Sequence, residues 1–376
     1  MTKIWLRLSF FFVIKMAVAD KMEDFKMKKK RILALALAGA VCLSLAACGS
    51  SKTNDPEKSA KEPAASQSQN DHYPVTVNSF NYAGEDIQIT YDKAPERVIA
   101  VYQGCIETMI ALGLEDHVVA SYGLDNEVKD EWKAGLEKMN YHTEPFAPDK
   151  ETVTMLEPDL IFSWGSLFGE KNLGDVGAWH EQGVNTLINH NTRPGQSESK
   201  NGRTLENEFQ TIMDVGAIFD VEDKAQALVD EMKQEIDRTL EAVKGTEPVS
   251  VAALQPFDDG STWNRSAKEL VGDMVVSLGG KMALPDLSGD LDKEALLAAD
   301  PDVIFVIYMA YDGDDAEKVI AQRMSTIVDD PTLATLSAIK NDRVYPIMLG
   351  DIYAAGPRCM DGIKALAQGM YPDLAQ

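Results

Sequence analysis

The chain is poor in the residues that most often carry chemistry. Its 376 residues include four cysteines and five histidines. Cys42 and Cys48 lie near the N-terminus, and Cys105 and Cys359 stand alone. That spacing excludes a disulfide framework and a Cys-x-x-Cys redox or zinc motif. Cys105 and Cys359 read as buried free thiols, with a single bridge between them as the alternative. The histidines, His72, His117, His142, His180 and His190, all fall within the first 190 residues, and no two have the i, i+4 spacing of a helical metal site. There is no Gly-x-Gly-x-x-Gly and no Gly-x-x-x-x-Gly-Lys-Ser/Thr, and Gly165-Ser166-Leu167-Phe168-Gly169 carries its serine one place too early for a nucleophile elbow. A non-enzyme is expected, with a surface-anchored hydrolase of dispersed catalytic residues as the remote alternative. Positive charge is also short. Lys and Arg number 36 against 60 Asp and Glu, a net charge of −24. Residues 1–47 hold nine basic and three acidic side chains, or +6, so the remainder is near −30. A body that acidic is unsuited to nucleic acid or anionic lipid surfaces. Asp258-Asp259-Gly260 and Asp312-Gly313-Asp314-Asp315 do not fit the twelve-residue calcium loop and read as solvated turns.

What the chain does have is an internal echo. DKETVTMLEPDLIF at 149–162 returns as DKEALLAADPDVIF at 292–305, with seven of 14 positions identical. Each copy predicts a short helix with an acidic start, a Pro-Asp turn and a buried strand. One supersecondary unit repeated at this distance predicts two lobes of similar topology, with a cleft between them.

The N-terminus reads as an address. Basic Met27–Arg31, apolar Ile32–Leu45 and the small-residue site Leu45-Ala46-Ala47-Cys48-Gly49 together form a secretory signal. Cysteine directly after the cut resembles the lipobox of bacterial lipoproteins, which implies lipidation at Cys48. Residues 1–26 fit this scheme poorly, and Met27 is the expected true start. Residues 49–72 contain no large apolar side chain, so 48–72 is expected to be a disordered, lipid-anchored tether. As a flexible coil it spans roughly 25–30 Å.

The body alternates strands with helices, which argues for mostly parallel sheets in both lobes. The expected order begins with a hairpin at 75–91. Strands follow at 97–101, 118–121 and 185–188, and helices at 105–112, 128–139 and 172–182. A polar loop covers 190–203. In the second half, strands fall at 249–254 and 343–347, and helices at 267–278, 316–324 and 358–370. Between the halves, 222–244 runs without Gly or Pro, and Leu228, Met232, Ile236, Leu240 and Val243 form one apolar stripe. The reading is α/β, with an N-terminal lobe at 73–220, a linking helix at 221–245 and a C-terminal lobe at 246–376.

With these parts in place the chain resembles the substrate-binding proteins of bacterial ABC importers for iron-siderophores, haem and cobalamin, the class III periplasmic-binding-protein type. The marks are PERVIAVYQGCIETMIALGLEDHVVAS at 95–121, both repeat copies, and KNDRVYPIMLGDIYAAGPR at 340–358. The resemblance implies two lobes joined by one backbone helix, and the long helix itself implies modest closure on ligand, because a helix bends far less readily than a two-strand hinge. It implies a monomer that docks on an ABC permease dimer served by an ATPase. Permease arginines would be met by one glutamate at the start of the repeated helix in each lobe, here Glu151 and Glu294. Relatives that hold bare zinc or manganese use histidines from both lobes, and residues 249–376 have none. No cofactor is implied. The expected ligand is an iron chelate, a ferric siderophore foremost, with haem or cobalamin as alternatives. Ligands collect at the carboxyl ends of parallel strands. The candidates there are Tyr102, Gln103, Trp164, Arg193 and Arg203 in the first lobe, and Trp263, Arg265, Tyr308, Tyr311, Tyr353 and Arg358 in the second. Arginine suits oxyanions because its planar fork binds them bidentately. The expected location is the extracytoplasmic face of the cell membrane, a Gram-positive surface favoured by the long tether.

Overall fold

A computed structural model describes residues 72–194, 202–311, 313–353 and 356–375. The signal, Cys48 and nearly all of the tether lie outside the described residues. The described residues form one compact unit.

The alternation at the start of the body gives the antiparallel hairpin β1 (Val75–Phe80) and β2 (Asp86–Tyr91). The first lobe is then built on β3 (Val98–Val101), β4 (Val118–Tyr122), β5 (Tyr141–His142), β6 (Leu160–Ser163) and β7 (Asn185–Ile188). Its sheet has the order β5-β4-β3-β6-β7 and is parallel throughout. The second lobe contains β8 (Ser250–Pro256), β9 (Thr262–Asn264), β10 (Lys281–Met282), β11 (Gly289–Asp290), β12 (Val303–Tyr308) and β13 (Val344–Met348). Here β10, β8, β12 and β13 run parallel in the order that β4, β3, β6 and β7 take in the first lobe. β9 and β11 add an antiparallel edge that the sequence reading does not contain.

The two repeat copies fall in different sheets and are built alike. Asp149 caps the helix Lys150–Leu156 by accepting from Thr152 N, and Asp292 caps Lys293–Ala299 by accepting from Glu294 N and Ala295 N. Both helices end on a left-handed residue, Glu157 at φ 46° and Asp300 at φ 41°. The Pro-Asp aspartate then ties the new strand to its neighbour. Asp159 accepts from the Glu96 and Arg97 amides, and Asp302 from the Ser250 amide, at 2.8–2.9 Å. This shared fastening accounts for the aspartate in each copy.

β12 is buried on both faces, so it reads as a continuous apolar run. Val303, Phe305 and Ile307 face the main core, while Ile304 and Val306 face a smaller one with Leu254, Ile327 and Leu333. The helices Leu205–Ile218 and Glu222–Ala242 connect the lobes. The second is 21 residues long, or about 31 Å. Its buried face is Ala225, Val229, Met232 and Thr239, with Leu228 and Ile236 only half-buried and Leu240 40% exposed. The expected stripe is therefore rotated by about one position, because the helix leans on Leu205–Ile218 and on the last helix, Cys359–Met370. Two expected helices are shorter than read. Residues 128–139 supply only a 3-10 turn and Lys133–Lys138, and 172–182 only Val176–His180. The latter starts late because Gly174 sits at φ 84° and pairs with Gly169.

Candidate functional site

The carboxyl ends of β3 and β6 deliver Tyr102 and Trp164 to the seam between the lobes. Tyr102 is a non-glycine residue at φ 87°, a conformation large side chains avoid and one that tends to mark functional sites. Its hydroxyl donates to Asp125. Burial, reinforced by Asp125, pushes that hydroxyl well above its ordinary range, so it stays protonated. Burial also raises the Asp125 carboxyl, against the hydrogen bond from Tyr102. Trp164 lies against Tyr102 with ring centroids 3.9 Å apart, and Phe146 meets Tyr102 edge-on at 5.8 Å. Gly165 follows because the backbone there is pressed on the next loop. A Cβ at this position would stand 2.2 Å from the Thr192 carbonyl oxygen.

The second lobe answers with Tyr353, whose ring is 5.6 Å from Trp164. Two arginines complete the cluster. The Arg203 guanidinium lies 4.2 Å from the Tyr353 ring centre and 5.5 Å from Trp164. Arg265 lies 5.2 Å from Tyr353 and 5.8 Å from Trp263. Arg203 reaches the seam because its backbone amide is bound to the Lys268 carbonyl of the opposite lobe, 2.9 Å away. Arg265 is oriented by Glu269, at 2.8 Å, and by Gln255. Three buried donors in this cluster have no hydrogen-bond partner among the described residues: Trp164 Nε1, Arg203 Nη1 and Arg265 Nε. A buried donor left unmade costs about 1–3 kcal/mol, more when charged. Two cations and three adjoining, mutually tilted rings with spare donors offer apolar faces and hydrogen-bond donors suited to acceptor oxygens.

The other candidates are placed elsewhere. Gln103 is fully buried, its amide nitrogen on Glu107 and its oxygen on the Asp125 and Asn126 amides, so it braces the seam from behind. Arg358 is 4% exposed, and each of its three guanidinium nitrogens is engaged internally. Nε contacts both Glu107 oxygens at 2.7 and 2.8 Å, Nη1 reaches Asp351 at 3.4 Å, and Nη2 donates to the Glu127 carbonyl at 2.6 Å. It is an inter-lobe tie rather than a seam contact. Arg193 turns onto the hairpin, donating to the Gly84 carbonyl and Asp86 and covering Phe80. Trp263 donates to Asp290 at 3.0 Å and meets the cluster through Arg265. Tyr308 is half-buried at the end of β12, its hydroxyl raised by burial and by Asp351. Tyr311 donates to Met309 Sδ at 3.6 Å, close to its own position in the chain. His190 is bound to Asp214 at 2.7 Å.

Sequence reasoning missed the acids that hold the seam. Glu107 is fully buried in the helix Gln103–Ala111, and its carboxyl is pushed up to about 7 by burial, with Arg358 opposing. Asp351 is raised to about 6 for the same reason. Glu208, buried in the first lobe, accepts from Gly356 N of the second at 2.9 Å. Gly356 sits at φ 63°, and a Cβ there would come within 2.8 Å of the Gly104 carbonyl oxygen. The available signal was a lone glutamate inside the apolar run Cys105–Leu112, since an acid is rarely buried unpaired. Cys105 and Cys359 are buried and free. Glu151 and Glu294 are exposed in the first turns of their helices, and neither forms a salt bridge among the described residues. No helix among the described residues is long and apolar enough to cross a membrane.

Two lobes with matching parallel sheets, linked by a long helix and meeting at strand-end aromatic and arginine side chains, define a two-lobed binding protein. A profile of the periplasmic binding protein family matches residues 98–348, well over half of the chain, and the chain belongs to that family. It is 25% identical over 359 residues to the uncharacterized ABC transporter substrate-binding lipoprotein YvrC of Bacillus subtilis (strain 168), covering 92% of this chain and 98% of that one. A periplasmic binding protein from Veillonella parvula DSM 2008 superposes with a TM-score of 0.73 at 30% identity, over 81% of this chain and 93% of its own. An ABC-type Fe3+-hydroxamate transport system protein from Saccharomonospora viridis DSM 43017 shares the fold, with a TM-score of 0.60 at 21% identity, over 80% of this chain and 100% of its own.

Proposed function

We propose that this protein is the extracytoplasmic solute-binding lipoprotein of an ABC importer and that its cargo is an iron chelate, a ferric siderophore foremost. The observation that carries the reading is the trio of unpartnered donors on Trp164, Arg203 and Arg265, set among Tyr102, Tyr353 and Trp263. Ferric siderophores present oxygen-rich, commonly anionic surfaces, and guanidinium groups bind such surfaces in a water-poor site. On a body near −30, two cations held at one seam support a ligand that carries negative charge. The lipidated relative in Bacillus subtilis supports an anchor at Cys48. The lipid would then hold the acidic body to the membrane, and Glu151 and Glu294 would dock on the permease.

The test is titration of the purified protein with a ferric catecholate, a ferric hydroxamate, haem and cobalamin, read by tryptophan quenching and ligand absorbance. One ferric siderophore is expected to saturate at one equivalent, with no turnover of the ligand. Saturation by haem or cobalamin alone would replace the cargo but keep the carrier. Failure of all four to quench would remove the seam as a chelate site.

A further inference from the structure

Where the chain enters the body, three ligand-type side chains converge away from the seam. His72 Nε2 lies 2.7 Å from the Ala217 carbonyl oxygen, and Tyr73 donates its hydroxyl to the Ile218 carbonyl at 2.8 Å. Both residues cap the C-terminal end of the helix Leu205–Ile218, where carbonyls lack helical partners. Nε2 faces a carbonyl, which can only accept, so it is the donor nitrogen, and Nδ1 on the other side of the ring is the candidate ligand atom. There it faces Asp220 Oδ1 at 3.4 Å and Glu222 Oε1 at 3.3 Å. The three ligand atoms lie within 4.8 Å of one another. Asp220 is held in place by a left-handed backbone, φ 56°, and Glu222 by being the first residue of the next helix.

We propose that His72, Asp220 and Glu222 form a divalent transition-metal site, with zinc as the fitting ion. The argument is geometric. Zinc bonds to imidazole nitrogen and carboxylate oxygen are about 2.0–2.2 Å, so adjacent ligands of a tetrahedral ion stand about 3.3–3.5 Å apart. Both histidine–carboxylate distances have that length, one too long for a good hydrogen bond. A neutral imidazole with two carboxylates carries a charge of −2, which one divalent ion balances, and water completes the shell. The carbonyl-bound Nε2 is the outer support that metal-bound histidines ordinarily have. The nearby helix C-terminus adds partial negative charge. Imidazole nitrogen argues against calcium and magnesium, which take oxygen donors. The ion would fasten the end of the polar N-terminal stretch to the turn between the two connecting helices, 148 to 150 residues away in sequence.

The purified protein is stripped with chelator and titrated with ZnCl2 by calorimetry and with CoCl2 by visible absorption, with CaCl2 as control. One equivalent of zinc is expected to bind, cobalt is expected to give the intense bands of a four-coordinate site, and calcium is expected to give no heat. His72→Gln should weaken zinc by about 100-fold or more. Glu222→Gln, which leaves the helix cap intact, should weaken it without changing the unfolding temperature of the metal-free protein. Zinc binding that is unchanged in both variants overturns the proposal by placing the metal elsewhere. Absence of zinc binding also overturns it.

Discussion

Arg203 and Arg265 come to the same ring, Tyr353, from opposite sides of the seam. Each is bound by groups that fix its position yet leave one N–H unmade. A charge-assisted hydrogen bond contributes about 1.5–3 kcal/mol. The double variant Arg203→Ala plus Arg265→Ala should therefore weaken chelate binding by on the order of 100-fold or more. Lysine at both positions should recover only part, because a point charge does not supply the planar fork. Binding that stays within threefold of wild type would show that the donors serve packing alone. Residue type and strand-end position were enough to nominate this pair, with Tyr102, Trp164 and Tyr353. They were not enough to separate them from Gln103, Arg193 and Arg358. Those three also follow strands or lie in loops, yet their polar atoms are consumed by Glu107, Asp86 and the backbone. What divides the two groups is the identity of the partner, and partners such as Glu107 and Arg358 are 251 residues apart.

At the level of elements, the repeat is the most legible feature because its parts are local. An aspartate cap, a seven-residue helix, a left-handed stop and a Pro-Asp fastening each follow from residues close in sequence. The two helices present Glu151 and Glu294 at equivalent places, one in each lobe. If those acids grip a two-fold symmetric permease, Glu151→Arg with Glu294→Arg should abolish uptake by cells while leaving chelate affinity in solution unchanged. Uptake at wild-type rate in the double variant would refute the docking role. The elements read too long, 128–139 and 172–182, fail because glycine geometry and a 3-10 turn intervene. β9 and β11 escaped notice because strands of three and two residues show too little periodicity to register.

For the whole molecule, the seam joins the lobes through buried carboxylates as well as through the connecting helices. Glu107 and Asp351 share one guanidinium, and burial raises them to about 7 and about 6. Glu208, Asp125 and Asp273 are raised by burial as well. A carboxyl with a raised folded-state pKa binds its proton at higher pH in the fold than in the unfolded chain. Its contribution to stability is complete below the unfolded value, near 4.5 for Glu107, and is lost as pH rises through about 7. Protonation also relieves self-repulsion in a body near −30. The unfolding temperature should rise as pH falls from 8 to about 5.5. Glu107→Gln should flatten part of that rise, and a wild-type unfolding temperature that falls over the same window would contradict the burial argument.

By itself the sequence determined the two-lobed α/β plan, because hydrophobic period, helix caps and the Pro-Asp fastening act over short stretches of chain. The expected address at Cys48 is likewise a linear motif, and it lies outside the described residues. Only the tertiary structure decided which arginines stand at the seam with donors to spare and which are tied down. It also decided that an acid in an apolar helix meets its cation across the lobes, and that His72 faces Asp220 and Glu222. Those pairings depend on where distant segments come to rest, and no local pattern of residues encodes the distance between them.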